Sequence, residues 1–180
     1  MHKQLKIFLI SFSFLVFAIG MFGPIYAIYV DDIGGDIIDV GTAWSIFSII
    51  SGLGIFIMGK FQDRIKKDRF MIILGNILTS VAFLLYYFVS NVTELFMVQF
   101  LLGVSTVIRI PAADSFYTKY LEKGKFASQW AAWEALYYTV SGIAALVGAF
   151  VVKIFSFRHL FLVMFVLSLI NTFLSLLLKE

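Results

Sequence analysis

Residues 59–69 read GKFQDRIKKDR and lie between two long apolar stretches of the chain. Seven of these eleven residues are charged, five of the seven are basic, and a glycine opens the segment. The chain as a whole is 61% hydrophobic and 14% charged over 180 residues, whereas a soluble domain is about half apolar and about a quarter charged. The segment is therefore expected to be a short polar connection between helices that cross a membrane.

Six apolar runs of the chain each approach the ~20 residues that a helix needs to cross a bilayer. In hydrocarbon, only helices satisfy their own backbone polar groups one segment at a time, so these runs are predicted to be helices. The sequence thus predicts an all-α membrane protein in which residues 1–180 form a single six-helix transmembrane bundle. The expected spans are 7–30, 41–58, 70–90, 95–113, 127–152 and 157–178.

Composition excludes several classes of function. The chain contains no cysteine, which excludes disulfides, thiol chemistry and cysteine-ligated metals. It also lacks a G-x-x-x-x-G-K-[ST] loop, so it is not expected to consume ATP. Its basic residues occupy short loops, a pattern that does not favour nucleic-acid binding. We therefore expect no enzymatic activity, no cofactor, no metal and no nucleic-acid partner.

The distribution of charge predicts an orientation. Lys3, Lys6 and the segments 59–69 and 114–126 hold most of the cations, whereas the loop DDIGGDIID at 31–39 is acidic. Loops rich in lysine and arginine stay on the cytoplasmic side of a membrane. We therefore expect a multi-pass protein of the plasma membrane (the inner membrane of a bacterium) with both termini in the cytoplasm.

The segment 59–69 follows the second span, and at that place it resembles a motif of the major facilitator superfamily. The motif has the form G-x-x-x-D-R-x-G-R-K. Gly59, Asp63 and Arg64 match it in register, and Lys67 and Arg69 supply its basic tail.

Other positions depart from the family pattern. Lys66 replaces the second glycine of the motif, and Asp68 interrupts its basic run. The fourth span of many members carries R-x-x-x-G, but Gly103 here is preceded four residues earlier by Gln99. The fifth span of antiporters in the family often carries G-P-x-x-G-G. The corresponding residues here, AALVGA at 144–149, keep one glycine and lack the proline.

The resemblance implies one half of a twelve-helix transporter, built from two inverted three-helix repeats. Spans 1, 2, 4 and 5 of such a half line the cavity, and spans 3 and 6 lie outside it. Two copies in closed two-fold symmetry would rebuild the whole. The implied function is secondary active transport of a small organic solute by alternating access in a homodimer. We expect a complete small protein; the alternatives are a truncated fragment, one half of a split heteromeric transporter, and a non-transporting membrane scaffold or partner subunit.

The resemblance also implies a gating role for the charged segment. Its aspartate, Asp63, would lie near the start of a helix from the other half, which in a homodimer is the partner's fifth span near Ser128. A carboxylate at a helix N-terminus contributes about 0.3–1 kcal/mol. Asp114 is the expected partner of Arg64. The predicted gating residues are Gly59, Asp63, Arg64, Lys67, Arg69 and Asp114.

Two charged residues, Arg109 and Glu134, lie well inside spans, where charge is costly and by default marks function. Their depths agree, at about 10 and 12 Å for a rise of about 1.5 Å per residue, so the two are expected to pair. If an ion drives transport, we expect a proton at Glu134. Aromatic rings with polar tips suit an organic solute, although a structural ion pair with aromatic packing is the alternative. The other candidates are Gln99, Trp130, Trp133, Tyr137 and Tyr138.

Overall fold

The computed structural model describes residues 2–179, which contain helices and no strand. The elements are α1 (Lys3–Phe22), a 3₁₀ turn (Gly23–Ile25), α2 (Tyr26–Asp32), α3 (Ile37–Ile65), α4 (Asp68–Tyr86), α5 (Val92–Lys119), α6 (Phe126–Ile154) and α7 (Phe157–Ser175). Helix α1, the turn and α2 form one continuous span, so the described chain has six segments long and apolar enough to cross a membrane. The prediction of an all-α, six-span bundle is confirmed.

Two segments predicted as loops are largely helical. Helix α3 continues through Ile65 and α5 through Lys119. Only 66–67 and 120–125 connect helices at this end of the bundle. The reason is that hydropathy reports where a chain leaves hydrocarbon, whereas a helix ends where its hydrogen-bonding pattern ends. Charged last turns can therefore extend beyond the apolar part of a span.

The two ends of the bundle differ in charge. The end that carries 66–67, 120–125 and both described chain ends is called the basic end here, and the opposite end the acidic end. At the acidic end, Asp36 begins α3 with a capping box. Its Oδ1 accepts from the backbone N–H of Ile38 at 2.7 Å and of Asp39 at 3.0 Å, while the Asp39 carboxylate accepts from the Asp36 N–H at 3.0 Å. Acidic residues at this end therefore also serve as helix caps.

The contacts between helices follow an internal symmetry. The first span packs against α6 and α7, α5 packs against α3 and α4, and α4 packs against α7. Exchanging spans 1 with 4, 2 with 5 and 3 with 6 leaves these main contacts unchanged, whereas the smaller contacts of α2 with α3 and of α6 with α7 do not follow the exchange. Such a pattern fits two inverted three-helix repeats. Helices α3 and α6 therefore flank the bundle, and each has one large exposed side.

A seam of polar side chains joins α1, α4 and α7. The Ser11 hydroxyl contacts the backbone oxygen and the Oδ1 of Asn171, each at 2.8 Å. The Asn76 Nδ2 donates to the Ser175 hydroxyl at 2.9 Å. All four side chains are buried. Hydrogen bonds of this kind help to hold helices together in lipid, where the hydrophobic effect does not.

Helix α6 contacts α1 almost backbone to backbone. A Cβ atom placed on Gly148 would lie 2.0 Å from the Met21 carbonyl oxygen, and one on Gly20 would lie 2.9 Å from the Ser141 Cα. Only glycine at these positions leaves room for the approach. The position of α6 beside α1 thus depends on the absence of a side chain at Gly20 and Gly148.

Substitution of Gly148 tests this approach. We expect Gly148→Ala to destabilise the bundle by about 1–3 kcal/mol, because overpacking forces the backbone of α1 or α6 to move. Gly142→Ala is the matched control, since Gly142 is also on α6 and a Cβ there meets nothing within 4 Å. Melting of the purified proteins in detergent measures both. Equal melting temperatures for the two variants would contradict the close packing.

Candidate functional site

A cavity of ≈ 510 Å³ opens beside α1 and α5, with α3 and α6 bordering it. Its volume is within the range of about 300–1,000 Å³ that is usual for small-molecule sites. Spans 1, 2, 4 and 5 supply most of its lining. The third and sixth spans contribute only the residues that close its inner wall, which are Thr79, Phe83, Tyr86 and Met164.

Arg109 lies at one end of this cavity. The Cβ of Arg109 is so close to α4 that a Cβ on Gly75 would approach it to 2.6 Å. The electrostatic partner of the guanidinium is Asp114, five residues later on the same helix, and Asp114 also lines the cavity. Glu134 lines the cavity as well. No ion pair within 4.0 Å joins Arg109 to Asp114 or to Glu134, or Asp114 to Arg64, among the described residues.

The aromatic candidates on α6 separate into two groups. Trp133 and Tyr137 line the cavity beside Glu134. Trp130 does not line it; its ring packs 4.9 Å from Tyr117 and 5.6 Å from Trp133. Tyr138 is 70% exposed and meets Tyr137 edge to face at 5.3 Å. The structure therefore gathers Glu134, Trp133 and Tyr137 at one wall.

Gln99 lies toward the acidic end of the same cavity. Its Nε2 donates a hydrogen bond of 2.6 Å to the Tyr26 hydroxyl, and both side chains are buried and line the cavity. Sequence reasoning missed Tyr26, as it did Trp44 and Phe47, which line the cavity from α3. The available signal was the presence of tyrosine and tryptophan within apolar spans, but spacing alone does not show which side of a helix faces a cavity.

The charged segment does not form a single loop. Gly59, Asp63 and Arg64 belong to the last turns of α3, and both Asp63 and Arg64 are exposed. Lys67 is exposed in the connection, and Arg69 is in the first turn of α4, where its guanidinium donates to the Leu176 carbonyl at 2.7 Å. The motif thus presents Asp63 outward and attaches Arg69 to the end of α7.

Asp68 is the buried acid of this segment, although the sequence suggested that it merely interrupts a basic run. Its side chain is 1% exposed and forms an ion pair with Lys119 at 2.6 Å. It also accepts hydrogen bonds from Gln62 at 2.5 Å and from Ser115 at 3.0 Å. Asp68 therefore joins the ends of α3, α4 and α5.

Lys66 ends α3 in the left-handed conformation, with φ of 52°. It is the one non-glycine residue with positive φ in the described chain. Glycine is usual at such a helix end because it has no Cβ to clash there. The geometry explains why the motif has a glycine at this position, and Lys66 adopts the same conformation at some energetic cost.

Among known protein families, the family model of the Major Facilitator Superfamily matches residues 8–180 of this chain. The chain belongs to this superfamily. The expected family resemblance is confirmed, and the six spans make the chain a multi-pass membrane protein of a secondary-transporter family.

Several relatives resemble the chain over most of its length. The multi-drug resistance efflux pump PmrA of Streptococcus pneumoniae is 25% identical over 163 residues, which are 89% of this chain and 40% of that protein. The multidrug resistance protein MdtG of Erwinia billingiae is 27% identical over 164 residues, 88% of this chain and 39% of that protein. The chain thus spans about two fifths of the length of these relatives.

Another relative is short. The uncharacterized MFS-type transporter YitZ of Bacillus subtilis is 22% identical over 150 residues, which cover 82% of this chain and 89% of that protein. The chain thus spans most of the length of this relative.

Asp68 is buried and paired with Lys119, whereas Asp63 of the same segment is exposed. We expect Asp68→Asn to lower the free energy of unfolding by about 1–3 kcal/mol, because charge-assisted hydrogen bonds are lost at a buried position. The ion pair with Lys119 accounts for only a small part of this loss, because the Lys119 side chain is 50% exposed to solvent. Asp63→Asn, on an exposed acid of the same segment, should leave the melting temperature unchanged. If both variants melt alike, Asp68 does not hold the three helix ends together.

Proposed function

We propose that this chain is one half of a secondary transporter that exports lipophilic organic cations from the cytoplasm in exchange for protons. Two copies form the working unit in the plasma membrane, with the basic end in the cytoplasm. The names of PmrA and MdtG, a multi-drug efflux pump and a multidrug resistance protein, support drug-like substrates and, for PmrA, the outward direction.

The observation that carries the proposal is the carboxylate of Glu134 in the wall of the cavity. Glu134 has no cationic partner within 4.0 Å among the described residues, whereas Asp114, which lines the same cavity, interacts electrostatically with Arg109 although that pair too is more than 4.0 Å apart. A carboxylate beside Trp133 and Tyr137 provides both an opposite charge and ring faces, and cations bind favourably over such faces. An aromatic cation fits this wall better than an anion or a sugar does.

Proton coupling follows from the same side chain. One carboxylate binds either a proton or an organic cation, so protonation of Glu134 releases the cation and deprotonation restores the site. If Glu134 opens to the external side while loaded, a proton arriving from that side displaces the substrate. The exchange uses only Glu134 and needs no second titrating group in the cavity.

The exposed faces of α3 and α6 support pairing with a second copy. Large apolar side chains are exposed along both helices, among them Phe56 at 70% on α3 and Leu146 at 67% on α6. Both helices also border the cavity. A second bundle seated on these two faces would cover the open side of the cavity and bring two such cavities together. The short relative YitZ is consistent with half-length members.

The outward position of Asp63 supports a gate between the copies. Asp63 is exposed near the end of α3, and the first turn of α6, which begins at Phe126, is exposed at the same basic end. In a two-fold pair the Asp63 carboxylate would meet the free N–H groups of the partner's α6. The contact would hold only while the basic end is closed.

Transport by the purified chain in liposomes tests the function. We expect ethidium to be moved when a pH gradient is imposed, in liposomes that contain this polypeptide alone. A scaffold, or one half of a heteromeric transporter, would move nothing until another polypeptide is added. That result would overturn the proposal.

Replacement of Glu134 tests its assigned role. We expect Glu134→Gln to weaken ethidium binding about tenfold or more, the equivalent of about 1.4 kcal/mol, and to abolish gradient-driven transport. Binding of a neutral aromatic compound of similar size should be unchanged, because the rings remain. Asp31→Asn, on an exposed acid at the acidic end, is the matched control and should behave as the native protein. If Glu134→Gln shows normal gradient-driven transport, Glu134 is not the site of proton exchange and its role is structural.

Cross-linking tests the pairing. The chain has no cysteine, so a variant with Asp63→Cys and Ser128→Cys carries only the two introduced thiols. We expect disulfide-linked dimers, with a yield that falls when the basic end opens. Ser128→Cys combined with Phe173→Cys is the control, because Phe173 is 65% exposed on α7, away from the proposed interface. Linkage exclusively within one chain would rule out this arrangement.

A further inference from the structure

A second and much smaller void lies beside Arg109, enclosed by α1, α4, α5 and α7. Its volume is ≈ 10 Å³, close to the lower limit of about 10–15 Å³ that one water molecule needs by this measure. Its polar lining consists of Ser11, Asn76, Arg109, Asn171 and Ser175. The void is thus small, polar and surrounded by four spans.

Three lining side chains each have one buried polar atom without a hydrogen-bond partner among the described residues. These atoms are Asn76 Oδ1, Arg109 Nε and Asn171 Nδ2. Asn76 and Asn171 are each 2% exposed. A buried polar atom left unpaired destabilises the folded protein. Three such atoms around one void indicate a common partner.

The other polar atom of each amide already has a hydrogen-bond partner. Asn76 Nδ2 donates to the Ser175 hydroxyl, which itself donates to the Asn171 carbonyl at 2.8 Å. Asn171 Oδ1 accepts from the Ser11 hydroxyl. The unpaired set is therefore two N–H donors and one oxygen acceptor.

We propose that this void is a binding site for one water molecule. Its oxygen accepts from Arg109 Nε and Asn171 Nδ2, and one of its O–H groups donates to Asn76 Oδ1. A halide ion could accept from both donors but could not donate to the oxygen. A metal cation would face the positively charged guanidinium and the Asn171 N–H donor. Of water, a halide ion and a metal cation, only water can accept from both N–H donors and donate to the oxygen acceptor.

The water would position Arg109. This residue lines both the small void and the ≈ 510 Å³ cavity, so it separates the two. A hydrogen bond at Nε would fix one edge of the guanidinium plane. Asn76 and Asn171 would contact Arg109 only through this water.

An experimental structure of the native protein in lipid nanodiscs, at a resolution that shows ordered water, is the direct test. We expect one density peak within hydrogen-bond distance of Asn76 Oδ1, Arg109 Nε and Asn171 Nδ2. A void without density, or a rearrangement in which the three atoms bond to other protein groups, would overturn the proposal.

A pair of variants at Ala113 provides an independent test. Ala113 is 3% exposed and lines the void, and threonine and valine there would fill it with side chains of the same shape. Only threonine brings a hydroxyl that replaces the hydrogen bonds of the water. We expect Ala113→Val to melt about 3 °C or more below Ala113→Thr. Equal melting, or a more stable valine variant, would contradict the site; if neither variant folds, the density in the native protein decides.

Discussion

A guanidinium group inside a membrane span cannot be left in hydrocarbon, and the arrangement of the bundle around Arg109 follows from that constraint. The cost at the centre of a span is about 2.5–3.5 kcal/mol even by the lower scales. Gly75 lets α5 approach α4 closely at this level, so the side chain lies between helices. The cavity with Asp114 lies on one side of it and the buried amides of Asn76 and Asn171 on the other. The cavity and the polar seam thus meet at one residue.

The basic end divides its charges between two tasks. The chain turns at Lys66, which has a left-handed backbone conformation. Asp63 before the turn and Asp68 after it therefore lie in different surroundings. Asp68 turns inward to Lys119 and secures three helix ends within one bundle. Asp63 remains at the surface, free to meet another bundle. A motif that reads as one charged block therefore contains one structural acid and one that is available for contact.

Hydropathy predicted the number and type of helices correctly because the bilayer imposes a strong requirement on each span. It did not predict that α3 and α5 continue through the charged turns that follow their apolar parts. Arg109 and Glu134, which their charge singled out from sequence alone, both line the cavity. Their expected pairing rested on depth, which does not include rotation about the helix axis. Burial of Asp68 could not be predicted either, since its partners come from α3 and α5 and meet only in the folded bundle.

An even number of spans returns the chain to the side on which it began. In this bundle the two described chain ends also touch, because the Lys179 N–H donates to Gln4 Oε1 at 3.1 Å. Two copies could therefore be joined head to tail in one reading frame by a linker that never enters the bilayer. Gene duplication and fusion would then yield a twelve-span polypeptide in which either copy could diverge independently, a freedom that identical subunits do not have.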